Sequence, residues 1–200
     1  MADINRILIG EYLESLKESS ELDNIFPTLL EMMDYEILSK PKNAKGQSQY
    51  GKDVVAIKEI DGVKTRFYFE LKGGSDRNID DTVLNKKDGV IESMRASKNT
   101  PYIENSIPGF DTWPAKYILV HNGLLNENAK QTYNGFIKIE FKEGEFERWD
   151  IGKLSKMFST NLFNEYLLAE GDENVSLFKK TLVLLDVPEY DMNHFFKLVY

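Results

Sequence analysis

Asp53, Glu70 and Lys72 are the residues whose types and spacing could do chemistry in this chain. They sit on two alternating runs, Gly51 to Ile57 and Phe67 to Gly74, with Ile60-Asp61-Gly62-Val63 between them. Asp-Gly flanked by alternating apolar residues is the strongest short-range hairpin signal, because both central positions of a type I′ turn need positive φ. With that turn Ile60 pairs with Val63, Asp53 faces Glu70, and Gly51 faces Lys72. Alternation assigns Val54, Ala56, Ile60, Val63, Phe67, Phe69 and Leu71 to a core face. Asp53, Glu59, Lys64, Arg66, Tyr68, Glu70 and Lys72 fall on the other. Glu59 opposite Lys64 favours this register, whereas Asp53 opposite Glu70 opposes it. Like charges about 5 Å apart across a strand pair are destabilising. A cation between them removes that penalty, so a metal site is expected.

Hard divalent ions such as Mg²⁺ (or Mn²⁺) take carboxylate oxygens, waters and substrate phosphate. Asp53 and Glu70 supply two carboxylates, and the Leu71 backbone carbonyl at the same strand end is a third candidate ligand. Lys72, two residues beyond Glu70, projects to the same face. Its ammonium could help deprotonate a water or offset charge on a phosphate in the transition state. Gly51, Gly73 and Gly74 leave room for a backbone or substrate to approach. A lone Glu-x-Lys on a strand is most often a solvated face; the registered Asp, the apolar opposite face and a preceding helix raise it above that.

The elements that must position these residues come from a chain of 200 residues with 42% hydrophobic content, enough for one main domain with an appendage. The apolar runs are too short to span a membrane, and the N-terminus does not read as a secretory signal. The absence of cysteine excludes disulfides and thiolate metal sites and makes the cytoplasm the expected location. Two histidines, His121 and His194, rule out motifs that need clustered imidazoles. A net charge of −8 argues against a nucleic-acid partner, but its distribution weakens the argument. Residues 40–98 carry 13 Lys and Arg against 9 Asp and Glu, which leaves 12 basic and 24 acidic residues elsewhere. A basic segment of this kind could track a phosphate backbone or be a solvated face.

Along the chain, Ile4 to Lys17 reads as an amphipathic helix, and a second helix starts near Asn24 to Pro27. Ile37-Leu38 begins a strand, and Pro41 to Tyr50 is a loop into the hairpin. A polar loop follows from Ser75 to Asp81, then a short helix from Asp88 to Arg95 with Asp88 as its cap. Residues 99–114 are irregular. Ala115 to Val120 reads as a buried strand, at whose end His121 is a packing or surface residue. Asn126 to Tyr133 reads as a helix and Gly135 to Lys142 as a strand. From Arg148 the pattern turns helical, with stripes over 150–169, 174–185 and 191–200. An apolar helix at the terminus suggests a fragment of a longer protein. Trp113, Trp149 and the Phe-rich tail are expected in the core or against a partner.

The residues Asp53…Glu70-Leu71-Lys72 resemble the PD-(D/E)XK nuclease signature of the restriction-endonuclease-like superfamily. Gly51-x-Asp53 is most similar to its Mrr-type branch, as is the lead-in Tyr35-Glu36-Ile37 before Gln47-Ser48-Gln49-Tyr50-Gly51-Lys52-Asp53. The likeness covers about Leu22 to Lys142. The chain also resembles the nuclease module at the N-terminus of large bacterial antiphage NTPases. That likeness rests on Gln49 to Val55 and on Arg148-Trp149-Asp150-Ile151 leading into Phe163-Asn164-Glu165-Tyr166.

The resemblance implies that Asp53 and Glu70 are metal ligands and that Lys72 is the catalytic base or transition-state stabiliser. It also implies an acid on the first core helix, for which Glu31 is the candidate, with Glu21 and Asp23 competing. Lys52 stands where some members carry Pro, and Gln49 resembles a position near the substrate. Lys86 and Lys87 could touch phosphate or form a solvated loop. The expected architecture is α/β: a restriction-endonuclease-like mixed β-sheet flanked by helices over 1–147, then a helical extension over 148–200 toward a missing C-terminal region. The expected function is metal-dependent hydrolysis of phosphodiester bonds, most naturally in double-stranded DNA, within a larger antiviral defence protein. Homo-oligomerisation or an adjacent NTPase or sensor domain would supply binding strength. The alternative is a catalytically silent nucleic-acid-binding or oligomerisation module of the same fold.

Overall fold

Asp61 and Gly62 both take positive φ, 51° and 80°, as a two-residue type I′ turn requires. The turn joins β2 (Val54–Ile60) to β3 (Val63–Lys72), and their antiparallel ladder runs from Ile60↔Val63 to Val54↔Phe69 in the expected register. The structure, a computed structural model, describes residues 2–16, 21–41 and 50–161. β1 (Glu36–Ser39) lies antiparallel to β2, while β4 (Ala115–His121) and β5 (Phe146–Trp149) extend the sheet in parallel beyond β3. The result is an α/β protein with an open, mixed, five-stranded sheet ordered β1-β2-β3-β4-β5. Among the described residues no helix is long and apolar enough to cross a membrane.

Helices cover both faces. On one side α1 (Ala2–Ser15), α2 (Asp23–Met32) and α6 (Ile151–Asn161) pack on Val54, Ala56, Phe67, Phe69 and Leu71. The Phe69 ring sits 5.3 Å from Phe26 of α2 and 5.4 Å from Trp149 of β5, both edge-on. Burying each such ring contributes roughly 2–3 kcal/mol, so this cluster ties the first-face helices to the middle of the sheet. On the other side α3 (Asp81–Asn85), α4 (Val90–Asn99) and α5 (Glu127–Glu140) pack on Val55, Tyr68, Tyr117 and Leu119. The face carrying Glu70 and Lys72 is therefore a second core rather than a solvated surface. Conversely, Ile60 and Val63, expected inside, are 36% and 50% exposed because the hairpin tip runs past the helices.

Three expectations change. Residues 135–142 do not form a strand: α5 continues as far as Glu140, with Ala129, Tyr133 and Phe136 buried and Ile139 exposed. Helical spacing of the apolar residues outweighs the roughly 1 kcal/mol that Gly135 withholds from a helix. The boundary expected at 147/148 falls inside β5, and α6 packs against α1 in the same core as Trp149, Leu154 and Phe158. The cap of α4 is Gly89 rather than Asp88, whose backbone takes a φ of 59° and whose N–H donates to Glu92 Oε2. Between the end of the polar loop expected over Ser75 to Asp81 and α4 stands α3, capped by Asp80, which accepts the Val83 N–H at 2.8 Å. The helices expected over 174–185 and 191–200 lie outside the described residues, as does the end of the 150–169 stripe.

Gly51 has a φ of 68°, and a Cβ on it would lie 1.9 Å from the Ser93 carbonyl oxygen of α4. Gly62 also has positive φ, but nothing lies within 4 Å of its Cβ position. Gly62→Ala is expected to lower stability by about 1 kcal/mol through backbone strain alone. Gly51→Ala adds overpacking and should cost at least about 2 kcal/mol. Urea denaturation of the two variants checks the order; equal losses would mean that α4 does not press on Gly51.

Candidate functional site

Where the β2–β3 ladder ends, Asp53 holds the strands together with both its backbone and its side chain. Its N–H donates to the Phe69 carbonyl at 2.8 Å, and its Oδ2 accepts the Leu71 N–H at 2.7 Å. The carboxylate thus takes over an acceptor position that another strand carbonyl would fill, which pins it beside Glu70. On β3, Glu70 is 4% and Lys72 7% exposed. Lys72 Nζ donates to Glu70 Oε1 at 2.7 Å and reaches the Asp88 carbonyl at 3.4 Å, on the turn that leads into α4. The parallel ladder sets Glu70 beside Leu119 and Lys72 beside His121.

Burial pushes the Asp53 carboxyl well above its ordinary pKa, and the Glu70 charge pushes it further. The Leu71 N–H and the Lys72 ammonium pull it back, and Asp23 at the start of α2 raises it again. Lys52, next to Asp53 in the chain, is 6% exposed and donates to the Thr100 carbonyl at 2.6 Å. Burial draws its ammonium down to about 8, against the opposing pull of Glu70.

The structure thus brings together Asp53, Glu70, Leu71 and Lys72, with Lys52 alongside. Glu31 is not part of this group: it is exposed at the far end of α2, with Lys40 4.0 Å away. The α2 acid whose charge reaches Asp53 is Asp23, at the opposite end of the helix. Chain order alone does not say which end of α2 meets the strand end, so the sequence left Glu31, Glu21 and Asp23 in competition. Lys86 is bridged to Asp76 at 2.5 Å and Lys87 is exposed, both on the turn whose Asp88 carbonyl receives Lys72. Gln49 lies outside the described residues.

Beyond Lys72 a second polar group is built that the sequence reading did not assemble. His121 is fully buried, with Nδ1 2.9 Å from the Arg77 carbonyl. A carbonyl can only accept, so Nδ1 carries the hydrogen and Nε2 the lone pair, which has no partner among the described residues. Burial holds the ring pKa down to about 4. Arg148 of β5 bonds Asp150 at 3.1 Å and lies over the Tyr133 ring of α5, whose buried hydroxyl also lacks a described partner. The neighbouring Asn122 donates to the Leu13 and Leu16 carbonyls and so closes the end of α1. These contacts come from α1, α5, β4 and β5, and no local sequence spacing signals them.

No protein-family model, curated protein or solved structure matches the chain. The site therefore has to be read from its own chemistry. Its donors are hard carboxylate oxygens, and the upward push on Asp53 from Glu70 is the electrostatic situation that a divalent cation relieves. Among the described residues no three or more His, Asp or Glu side chains gather into a metal-holding group. Two carboxylates then fit an ion that completes its shell from backbone, water and substrate oxygens, as Mg²⁺ does, and not one that needs an all-protein cage.

His121 sets a pH dependence. Between pH 6.5 and about 4 the unfolded chain binds a proton on this imidazole and the native state does not, so stability rises with pH through that window. A shift of this size corresponds to roughly 3 kcal/mol, lost on acidification toward pH 4. His121→Gln cannot titrate and is expected to flatten that part of the profile. Thermal melts of parent and variant from pH 4 to 7 check it; parallel curves would show that His121 is not the group responsible.

Proposed function

We propose that this chain is a metal-dependent nuclease of the PD-(D/E)XK type, hydrolysing phosphodiester bonds in DNA. The carrying observation is the convergence of Asp53, Glu70 and Lys72 at one end of the β2–β3 hairpin, with Lys72 Nζ 2.7 Å from Glu70 Oε1. The mixed sheet flanked by helices agrees with the restriction-endonuclease-like core that this reading assigns.

In this reading Asp53 and Glu70 would hold Mg²⁺ or Mn²⁺, with the Leu71 carbonyl as a backbone ligand, and the ion would supply charge stabilisation at the scissile phosphate. Leu71 N–H fixes the rotation of the Asp53 carboxylate through Oδ2. Lys72 is steered by Glu70 and by the Asp88 carbonyl, so its ammonium is held at the site before substrate arrives. Such preorganisation avoids the reorganisation that a surface lysine would need. Lys52, Lys86 and Lys87, with Gln49, are assigned to the phosphate backbone. Because the chain is acidic as a whole, affinity for DNA comes from assembly or from a neighbouring NTPase or sensor domain in a larger defence protein.

The direct Lys72–Glu70 ion pair favours one other reading, a catalytically silent nucleic-acid-binding or oligomerisation module in which that pair is purely structural. Plasmid nicking separates the two. With Mg²⁺ the parent is expected to convert supercoiled plasmid to open circles, and Glu70→Gln and Lys72→Met are expected to lower the rate at least about 100-fold. Mg²⁺ or Mn²⁺ should also raise the melting temperature of the parent and not of Asp53→Asn, a readout independent of turnover. A Glu70→Gln variant that is folded and nicks like the parent would falsify the nuclease reading and select the silent module.

A further inference from the structure

On the same sheet face, next to the candidate centre but lined by none of Asp53, Glu70 and Lys72, is a cleft of about 410 Å³. Its floor is β3 and β4, and its wall is the end of α4 with the chain that follows it. A volume of this order lies within the range of small-molecule sites, roughly 300–1,000 Å³.

Lys52, Arg66 and Lys98 line the cleft, against a single carboxylate, Asp111. Lys98 is paired with Glu145 at 3.0 Å. Lys52 and Arg66 form no ion pair with a described carboxylate; they are held by carbonyl oxygens, Lys52 by Thr100 and Arg66 by Trp113 at 2.7 and 3.0 Å. Glu70 acts on the buried Lys52 ammonium without an ion pair, so an anion entering the cleft would give both cations a direct counter-charge. Three tyrosines line it: Tyr68 and Tyr117 are buried, 3% and 8% exposed, with Lys52 Nζ 5.5 Å from the Tyr68 ring centre, and Tyr102 is half-buried and offers the open aromatic face. Such a face takes a planar ring. Ser97 also lines the cleft; it is 2% exposed, and its Oγ has no hydrogen-bond partner among the described residues. A buried hydroxyl without a partner is unusual, and a ligand hydrogen bond satisfies it.

We infer that this cleft is a nucleotide-binding subsite, taking a base against Tyr102 and a phosphate at Lys52 and Arg66. The inference stands on the cleft's own residues and does not require that the chain cut DNA. A nucleotide can come from two sources, a free nucleoside monophosphate or an unstacked unit of a single strand.

The test is calorimetric titration of the full chain in EDTA, where hydrolysis plays no part, with AMP and CMP against adenosine and inorganic phosphate. At least one monophosphate should bind about tenfold or more tightly than either fragment. Ser97→Ala removes only an unpartnered hydroxyl, so its melting temperature should hold or rise while affinity falls about 2- to 10-fold. Ile103→Glu places a charge on a cleft residue that is 70% exposed, and should weaken binding without disturbing the fold. A short single-stranded oligonucleotide and its abasic counterpart separate the sources. Competition by the first alone assigns the subsite to a strand, and competition by neither assigns it to a free nucleotide. Absence of binding by every nucleotide probe, or binding unchanged in both variants, overturns the inference.

Discussion

Two carboxylates at one partly buried strand end repel each other, and the structure around Asp53 and Glu70 is organised by what holds them there. Asp53 is held by a hydrogen bond from Leu71 N–H, Glu70 by the Lys72 ammonium. Neither contact removes the repulsion at Asp53, whose carboxyl Glu70 and, from α2, Asp23 both push upward. Removing a partner from such a group is far more damaging than the pair is stabilising, since the remaining charge stays buried. The stabilisation has to come from elsewhere, and it comes from the opposite side of the same strand. Phe67, Phe69 and Leu71 alternate with Tyr68, Glu70 and Lys72, so the residues between the polar ones bury the rings that join α2 and β5 to the sheet.

Covering both faces turns a common hairpin into a site. If α3 and α4 did not lie over the second face, Lys72 would be a flexible surface lysine and Glu70 a solvated acid. Their arrival is dictated by close backbone approach. Gly51 lets the β2 lead-in press on Ser93 of α4, and a Cβ on Gly89 would lie 2.6 Å from the Val83 carbonyl oxygen. The same turn delivers the Asp88 carbonyl to Lys72. Strand register places the charges, and helix packing removes the water that would weaken them.

The hairpin was the most legible part of the sequence because its signal is local. Asp61-Gly62 admits few conformations, and once it turns, every pairing back to Val54↔Phe69 follows. Glu59 facing Lys64 was readable for the same reason. What failed was non-local. The alternation of β3 announces two faces and puts Glu70 and Lys72 on one with Asp53, without saying that helices will cover that face as well. Gly135 reads as a break between helix and strand, but the spacing of Ala129, Tyr133 and Phe136 matches a helix packed on the sheet, and packing decided. Asp23 over Glu31, and His121 beside Lys72, depend on which ends of distant elements meet. No window of sequence contains both partners, and propensity says nothing about crossings.

Lys52 links the two polar regions of the second face. It precedes the acid that ends the β2 ladder, feels the Glu70 charge, and yet directs its ammonium to Thr100 and over the Tyr68 ring, toward the cleft. The chain is bent there by positive φ at Tyr50 and Gly51, which breaks the in-and-out alternation just before Asp53. A regular strand would send residues 52 and 53 to opposite faces. The bend instead lets neighbours in sequence serve one face, the carboxylate at the strand end and the ammonium beside the tyrosines. An overall acidic chain can in this way gather Lys52, Arg66 and Lys98 at one cleft. Local geometry at two residues, more than net charge, decides that the Lys52 ammonium turns toward the cleft.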